Sequence, residues 1–94
     1  MKISDLNDGT KNVELEATVI EKEEPREVTT KYGRTKVANA VIEDETGRFK
    51  LALWGENADN VNEGDKIKIT NGFVTSFRDE LQLSVGKYGS LVVV

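Results

Sequence analysis

The chain has 94 residues, with 17 acidic against 13 basic side chains for a net charge of −4, and 37% hydrophobic residues. These are the proportions of one small, highly soluble domain with an economical core. Cysteine and histidine are both absent, which excludes a disulfide framework, zinc knuckles and His- or Cys-based catalysis. No apolar run approaches membrane-spanning length and Met1-Lys2-Ile3-Ser4 opens no signal peptide, which is compatible with the cytoplasm.

Strand periodicity dominates. Val13, Leu15, Ala17 and Val19 alternate with Glu14, Glu16 and Thr18, the period-two pattern of a half-buried first strand. Pro25 then marks a bend or an edge, where no ladder N–H is needed. Lys31-Tyr32-Gly33-Arg34 reads as a hairpin tip, Gly33 being free to take positive φ. Lys36 to Glu43 is a second strand of small and β-branched residues, and Asp44-Glu45-Thr46-Gly47 is a tight turn into the third. In that third strand Phe49, Leu51 and Leu53 share the core face, while Arg48, Lys50, Ala52 and Trp54 share the other. The pattern breaks from Gly55 to Gly64, where Asn57-Ala58-Asp59-Asn60-Val61 suits a short helix or a loop. Lys66-Ile67-Lys68-Ile69-Thr70 is a fourth strand.

After Asn71-Gly72 the alternation slips phase, as a β-bulge at Gly72 would make it do. Leu81, Leu83 and Val85 point inward from a fifth strand. Leu91-Val92-Val93-Val94 reads either as the boundary of a domain cut from a longer chain or as a sixth short strand closing the barrel. Five short strands with a helix or loop between the third and fourth predict an all-β, five-stranded OB-fold barrel spanning 1–94. An SH3-like barrel and an open five-stranded sandwich are the alternatives, and the helix position favours OB.

Nothing in the chain composes an enzyme. It has no nucleophile–base pair at recognisable spacing, no phosphate-cradling glycine loop and no metal constellation; Asp44 and Glu45 read as turn formers. No cofactor is called for. Charge is unevenly spread: residues 1–27 hold eight acidic and four basic side chains, which accounts for the whole excess, and residues 28–94 hold nine of each. Lys31, Arg34 and Lys36 form a basic cluster with no acid between Val28 and Ile42. Phosphate binding favours a basic surface, so any nucleic-acid face on this chain has to be local. Trp54, on the solvent parity beside Arg48 and Lys50, fits a base-stacking platform and equally a rim cover over the core. Phe73 joins the outer face if the bulge swaps the register and is otherwise barrel core. Phe77 fits that face or the barrel core, where most phenylalanines belong.

The motifs Glu45-Thr46-Gly47, Leu51-x-Leu53-Trp54-Gly55, Glu63-Gly64-Asp65, Asn71-Gly72-Phe73 and Phe77-Arg78, in this order and spacing, resemble the simple archaeal single-stranded DNA-binding proteins and the OB domains of archaeal replication protein A. Pro25-Arg26-Glu27-Val28-Thr29 and Gly86-Lys87-Tyr88-Gly89 add to the resemblance, which runs from about Leu6 to Val94. It implies base stacking by Trp54, Phe73 and Phe77, about four to five nucleotides held, and a role in replication or repair in a prokaryotic cytoplasm, associated with the nucleoid. Phosphate contacts are expected from Arg26, Lys31, Arg34, Lys36 and Arg78 along the first long hairpin and the barrel rim. The implied partner is single-stranded DNA, with single-stranded RNA served by the same platform, other replication or repair proteins as further partners, and no membrane. A different class of function, an OB module for protein–protein assembly within a multi-domain replication factor A, is favoured by the net acidity and by Asp79-Glu80, which stands where relatives often carry a basic residue and glycine. Position 73 is Phe where several relatives carry Trp or Tyr, which keeps the π-face and removes the polar handle.

Overall fold

The structure, a computed structural model, describes residues 1–31, 33–77 and 79–94, and for Phe77, Gly86, Lys87 and Tyr88 the backbone alone. Six strands follow a 3₁₀ turn at Ile3–Asp5: β1 (Val13–Lys22), β2 (Arg26–Thr30), β3 (Gly33–Asp44), β4 (Gly47–Trp54), β5 (Lys66–Phe77) and β6 (Glu80–Val93), with a helix α1 (Glu56–Asn60) between β4 and β5. Along the sheet the order is β1-β5-β6-β4-β3-β2, and a further β1–β3 pairing closes five of the strands into a barrel. This is the OB-fold barrel read from the sequence, with the short helix where it was expected.

Closure depends on β1 serving two partners. Its first half alternates buried and exposed residues as the sequence pattern requires and pairs with β5 from Val13 to Thr18. Its second half pairs with β3, and the register slips between Val19 and Glu21. Ile20 is thus the extra residue of a bulge, the usual means of bending a strand from one sheet into another. A consequence is that Val19 faces the core opposite Ile42, whereas Glu21 stands opposite Val41 on the outside.

The phase slip in β5 is also present, one residue earlier than expected. Thr70 pairs with Ser90 and Gly72 with Val85, and Asn71 between them adopts φ 55°, a conformation asparagine tolerates better than most residues. Gly72 is needed for proximity rather than for φ. A Cβ there would lie 3.0 Å from the Ile69 side chain and 3.2 Å from the Ser84 carbonyl oxygen. Gly89 is tighter still: its Cβ would meet the carbonyl oxygens of Asn71 and Thr70 at 2.9 and 3.0 Å. The apolar ending of the chain is not a separate sixth strand. Leu91, Val92 and Val93 continue β6 and pair with Ile69, Lys68 and Ile67. The sixth strand is instead β2, which pairs with β3 alone and makes a hairpin arm.

The barrel is filled by Leu15, Val19, Ile42, Leu51, Ile67 and Leu83 among others, each 3% exposed or less. Its two ends are plugged locally. At the start of β4, Ile3 and Leu6 join the core, and the Ile3 N–H donates to Asp44 Oδ2 at 2.8 Å. The same carboxylate accepts from the Thr46 N–H at 2.7 Å and the Thr46 hydroxyl at 2.5 Å, so Asp44 is a turn former as its sequence context indicated. Partial burial alone would push the Asp44 carboxyl up. The hydrogen bonds from the Thr46 hydroxyl and from the Ile3, Thr46 and Gly47 N–H groups outweigh that and hold it below its ordinary value. At the far end of β4, Ala58 of α1 and the following Val61 are fully buried.

Candidate functional site

The outer face of β4 is organised by register. Trp54 stands opposite Val37 of β3, and Val37 opposite Arg26 of β2. Two residues back, Ala52 is flanked by Asn39 of β3 and Ser84 of β6, and Ser84 in turn by Phe73 of β5. Two residues further, Lys50 lies between Val41 and Gln82. Paired residues project to the same face of a sheet, so Arg26, Trp54 and Phe73 share one surface across five strands.

That surface is concave. The β2–β3 arm rises beside it and bounds an open groove of about 920 Å³, floored by Val37, Val41 and Ala52 and walled by Val28 and Trp54. Trp54 is 42% exposed, as its parity in the sequence required. The backbone that follows it is closely defined. Gly55 follows at φ 60°, ψ −128°, backbone that glycine alone adopts at low cost, and its N–H donates to the Lys36 carbonyl at 2.9 Å. The strand therefore stops directly after the indole, with both flanking residues tied to β3. Ala52 and Ser84 are only 3% and 7% exposed, small residues that keep the surface shallow between the two aromatic positions.

Phe73 is half-buried on this face. It is two strands from Ala52, about 10 Å across the sheet, and lies outside the groove lining. Phe77 ends β5 with its backbone paired to Glu80; its side chain, and the whole of Arg78 and Tyr32, lie outside the described residues. Arg26 is exposed and lines the groove. Lys31 is exposed at the tip of the arm. Arg34 and Lys36 have the opposite parity to Val37 and turn to the reverse side of the arm. There Arg34 approaches Glu27 at 3.9 Å, and Lys36 holds Asp59 of α1 at 3.1 Å.

Among the described residues the groove is not cationic: its lining contains Glu21, Glu23, Glu63 and Glu80 against Lys22, Arg26 and Lys50. Of the basic cluster Lys31, Arg34 and Lys36, the last two face away from the groove. Lys50 was visible beside Trp54 by parity, but Glu80 and Gln82 reach its neighbourhood only through the parallel β4–β6 pairing, which no local pattern announces. Asn39, in the groove wall, donates weakly from Nδ2 to Glu23 at 3.4 Å. Among the described residues no group of three or more Asp or Glu is placed to hold a metal ion, and no helix is long and apolar enough to cross a membrane.

A closed five-stranded barrel with an open, aromatic-edged groove on its outer face defines an OB-type binding domain. The Ssb-like single-stranded DNA-binding proteins of OB fold match residues 6–93, and the chain belongs to that family, which is one of binding proteins and not of enzymes. It is 38% identical over 85 residues to the single-stranded DNA binding protein Ssb of Saccharolobus solfataricus, covering 90% of this chain and 57% of that protein. It is 36% identical over 96 residues to the replication factor A of Methanothermobacter thermautotrophicus, covering 98% of this chain and 12% of that one. The solved OB domain of a Thermoplasma acidophilum protein superposes with a TM-score of 0.86 at 26% identity, over 100% of this chain and 85% of the other. This chain thus spans little more than half of one curated relative and an eighth of the other.

Proposed function

We propose that this domain binds single-stranded DNA along the outer face of β4, in the service of replication and repair, by stacking bases rather than by charge. The observation that carries the reading is Trp54: an indole 42% exposed, locked at a strand end, beside an apolar floor in an open groove. Phe73 supplies a second platform on the same face and Phe77 a third at the end of β5. Arg26, exposed in the groove lining, meets the backbone of a strand whose base lies on Trp54 in this reading. Each stack contributes about 1–3 kcal/mol, so three supply roughly 3–9 kcal/mol gross. A micromolar complex needs about 8 kcal/mol, so a few phosphate contacts complete it without a basic protein.

The test is Trp54→Ala, with oligo-dT affinity and urea unfolding measured together. Affinity falls by at least about 1 kcal/mol while cooperative unfolding is retained. A folded variant with unchanged affinity refutes the site. One observation favours a second reading, a protein–protein module of a larger replication factor: four glutamates among the groove residues suit a basic peptide as well as they resist phosphate. Single-stranded RNA would use the same platform, and only contacts to a 2′-hydroxyl would tell the two nucleic acids apart.

A further inference from the structure

The cations of the groove differ in what already holds them. Arg26 has no ion-pair partner among the described residues. Lys50, two residues before Trp54 on the same face of β4, is ion-paired through Nζ to the carboxylate of Glu80. The pairing follows from register. Lys50 stands beside Gln82 in the parallel ladder, so Glu80, two residues earlier on the same face of β6, is its diagonal neighbour and within reach of a long side chain. Both side chains line the groove, and both are more than half exposed, so the pair is weak and exchangeable.

We infer that Glu80 is a built-in competitor for phosphate at Lys50, which makes the groove select strands for their bases rather than for their charge. The inference rests on the nucleic-acid reading of the groove. A strand whose base lies on Trp54 has to displace the Glu80 carboxylate before Lys50 meets a phosphate. The displaced carboxylate then remains beside that phosphate, so Lys50 neutralises no net charge and releases little of the counterion atmosphere. At Lys50 a polyanion without stackable bases gains nothing to offset the displacement. Stacking is thereby the condition of entry, and the salt dependence of binding is shallower than a count of groove cations predicts.

The experiment compares wild type, Glu80→Gln, Lys50→Gln and the double variant, titrated with fluorescein-labelled oligo-dT over a range of salt, with inorganic polyphosphate as competitor and urea midpoints as a check on folding. The inference predicts that E80Q binds oligo-dT about two- to fivefold tighter at low salt and that its log–log salt slope steepens by about 0.7. Polyphosphate competes better against E80Q than against wild type, and the double variant binds no tighter than K50Q alone. An equal gain from E80Q in the K50Q background would make Glu80 a diffuse negative charge and overturn the competition. So would an unchanged E80Q with wild-type binding intact. Wild type that fails to bind oligo-dT overturns the nucleic-acid reading, and this inference with it.

Discussion

The barrel and the arm are built from the same strand β3, yet they obey different constraints. In the barrel Ala38, Ala40 and Ile42 each pack one face into the core, and strand pairing continues on both sides. Beyond Val37 the strand leaves the barrel and pairs with β2 alone, which shows no buried residue. The difference is instructive for function. The barrel supplies a surface whose register is fixed by what lies beneath it, and that is where Trp54 sits. The arm supplies a wall built on its own hairpin and on exposed pairs such as Lys36 with Asp59. The exposed indole of Trp54 sits on the first of these and the polar rim of the groove on the second.

The contrast predicts where substitutions act. Leu83→Ala, at a fully buried position between Leu51 and Val74, costs about 2–5 kcal/mol of stability, measurable as a lower urea midpoint, and lowers DNA affinity only through the unfolded fraction. Trp54→Ala, on the outer face of the neighbouring strand β4, does the reverse: its larger effect is on affinity, as set out above. If Leu83→Ala weakened binding in the fully folded state more than Trp54→Ala did, the division between a supporting core and a binding surface would fail.

A smaller effect is expected at the turn that anchors the barrel end away from Trp54. The carboxyl of Asp44 is held below its ordinary value of 3.8, so the folded state binds that proton less tightly than the unfolded chain. Its contribution to stability is therefore present above about pH 4 and is lost as pH falls through the lowered value. Asp44→Asn should cost about 1–2 kcal/mol near pH 7, and the difference from wild type should narrow in unfolding measurements taken near pH 2. A difference that stayed constant across that range would remove the carboxylate from the account.

What was legible in the sequence follows the same boundary. Val13 to Val19, Phe49 to Leu53 and Ile67 to Ile69 alternate because one face of each strand is core, so their phase, and the outward aim of Trp54, could be read directly. The slip after Asn71 was readable too, since it moved Val74 inward and left Phe73 on the other face. The arm was harder. With both of its faces wet, no period marks Arg26–Thr30 as a strand or tells which side Arg34 and Lys36 take. Long-range pairing was out of reach altogether. The parallel register of β4 with β6 brings Glu80 to Lys50, and the division of β1 between two partners brings Glu21 to the groove; both depend on barrel closure and not on any local spacing. For that reason the outward placement of Trp54 was recognisable and the charge balance around it was not.

The central claim is that bases stack on Trp54 in a groove that does not rely on positive charge. The most direct test is the fluorescence of this single tryptophan, titrated with oligo-dT at low salt and again at high salt. The account predicts strong, saturable quenching with only a modest loss of affinity at high salt, each phosphate contact contributing a slope near −0.7. Unchanged emission at high micromolar oligo-dT would contradict it and favour the protein-binding reading of the groove.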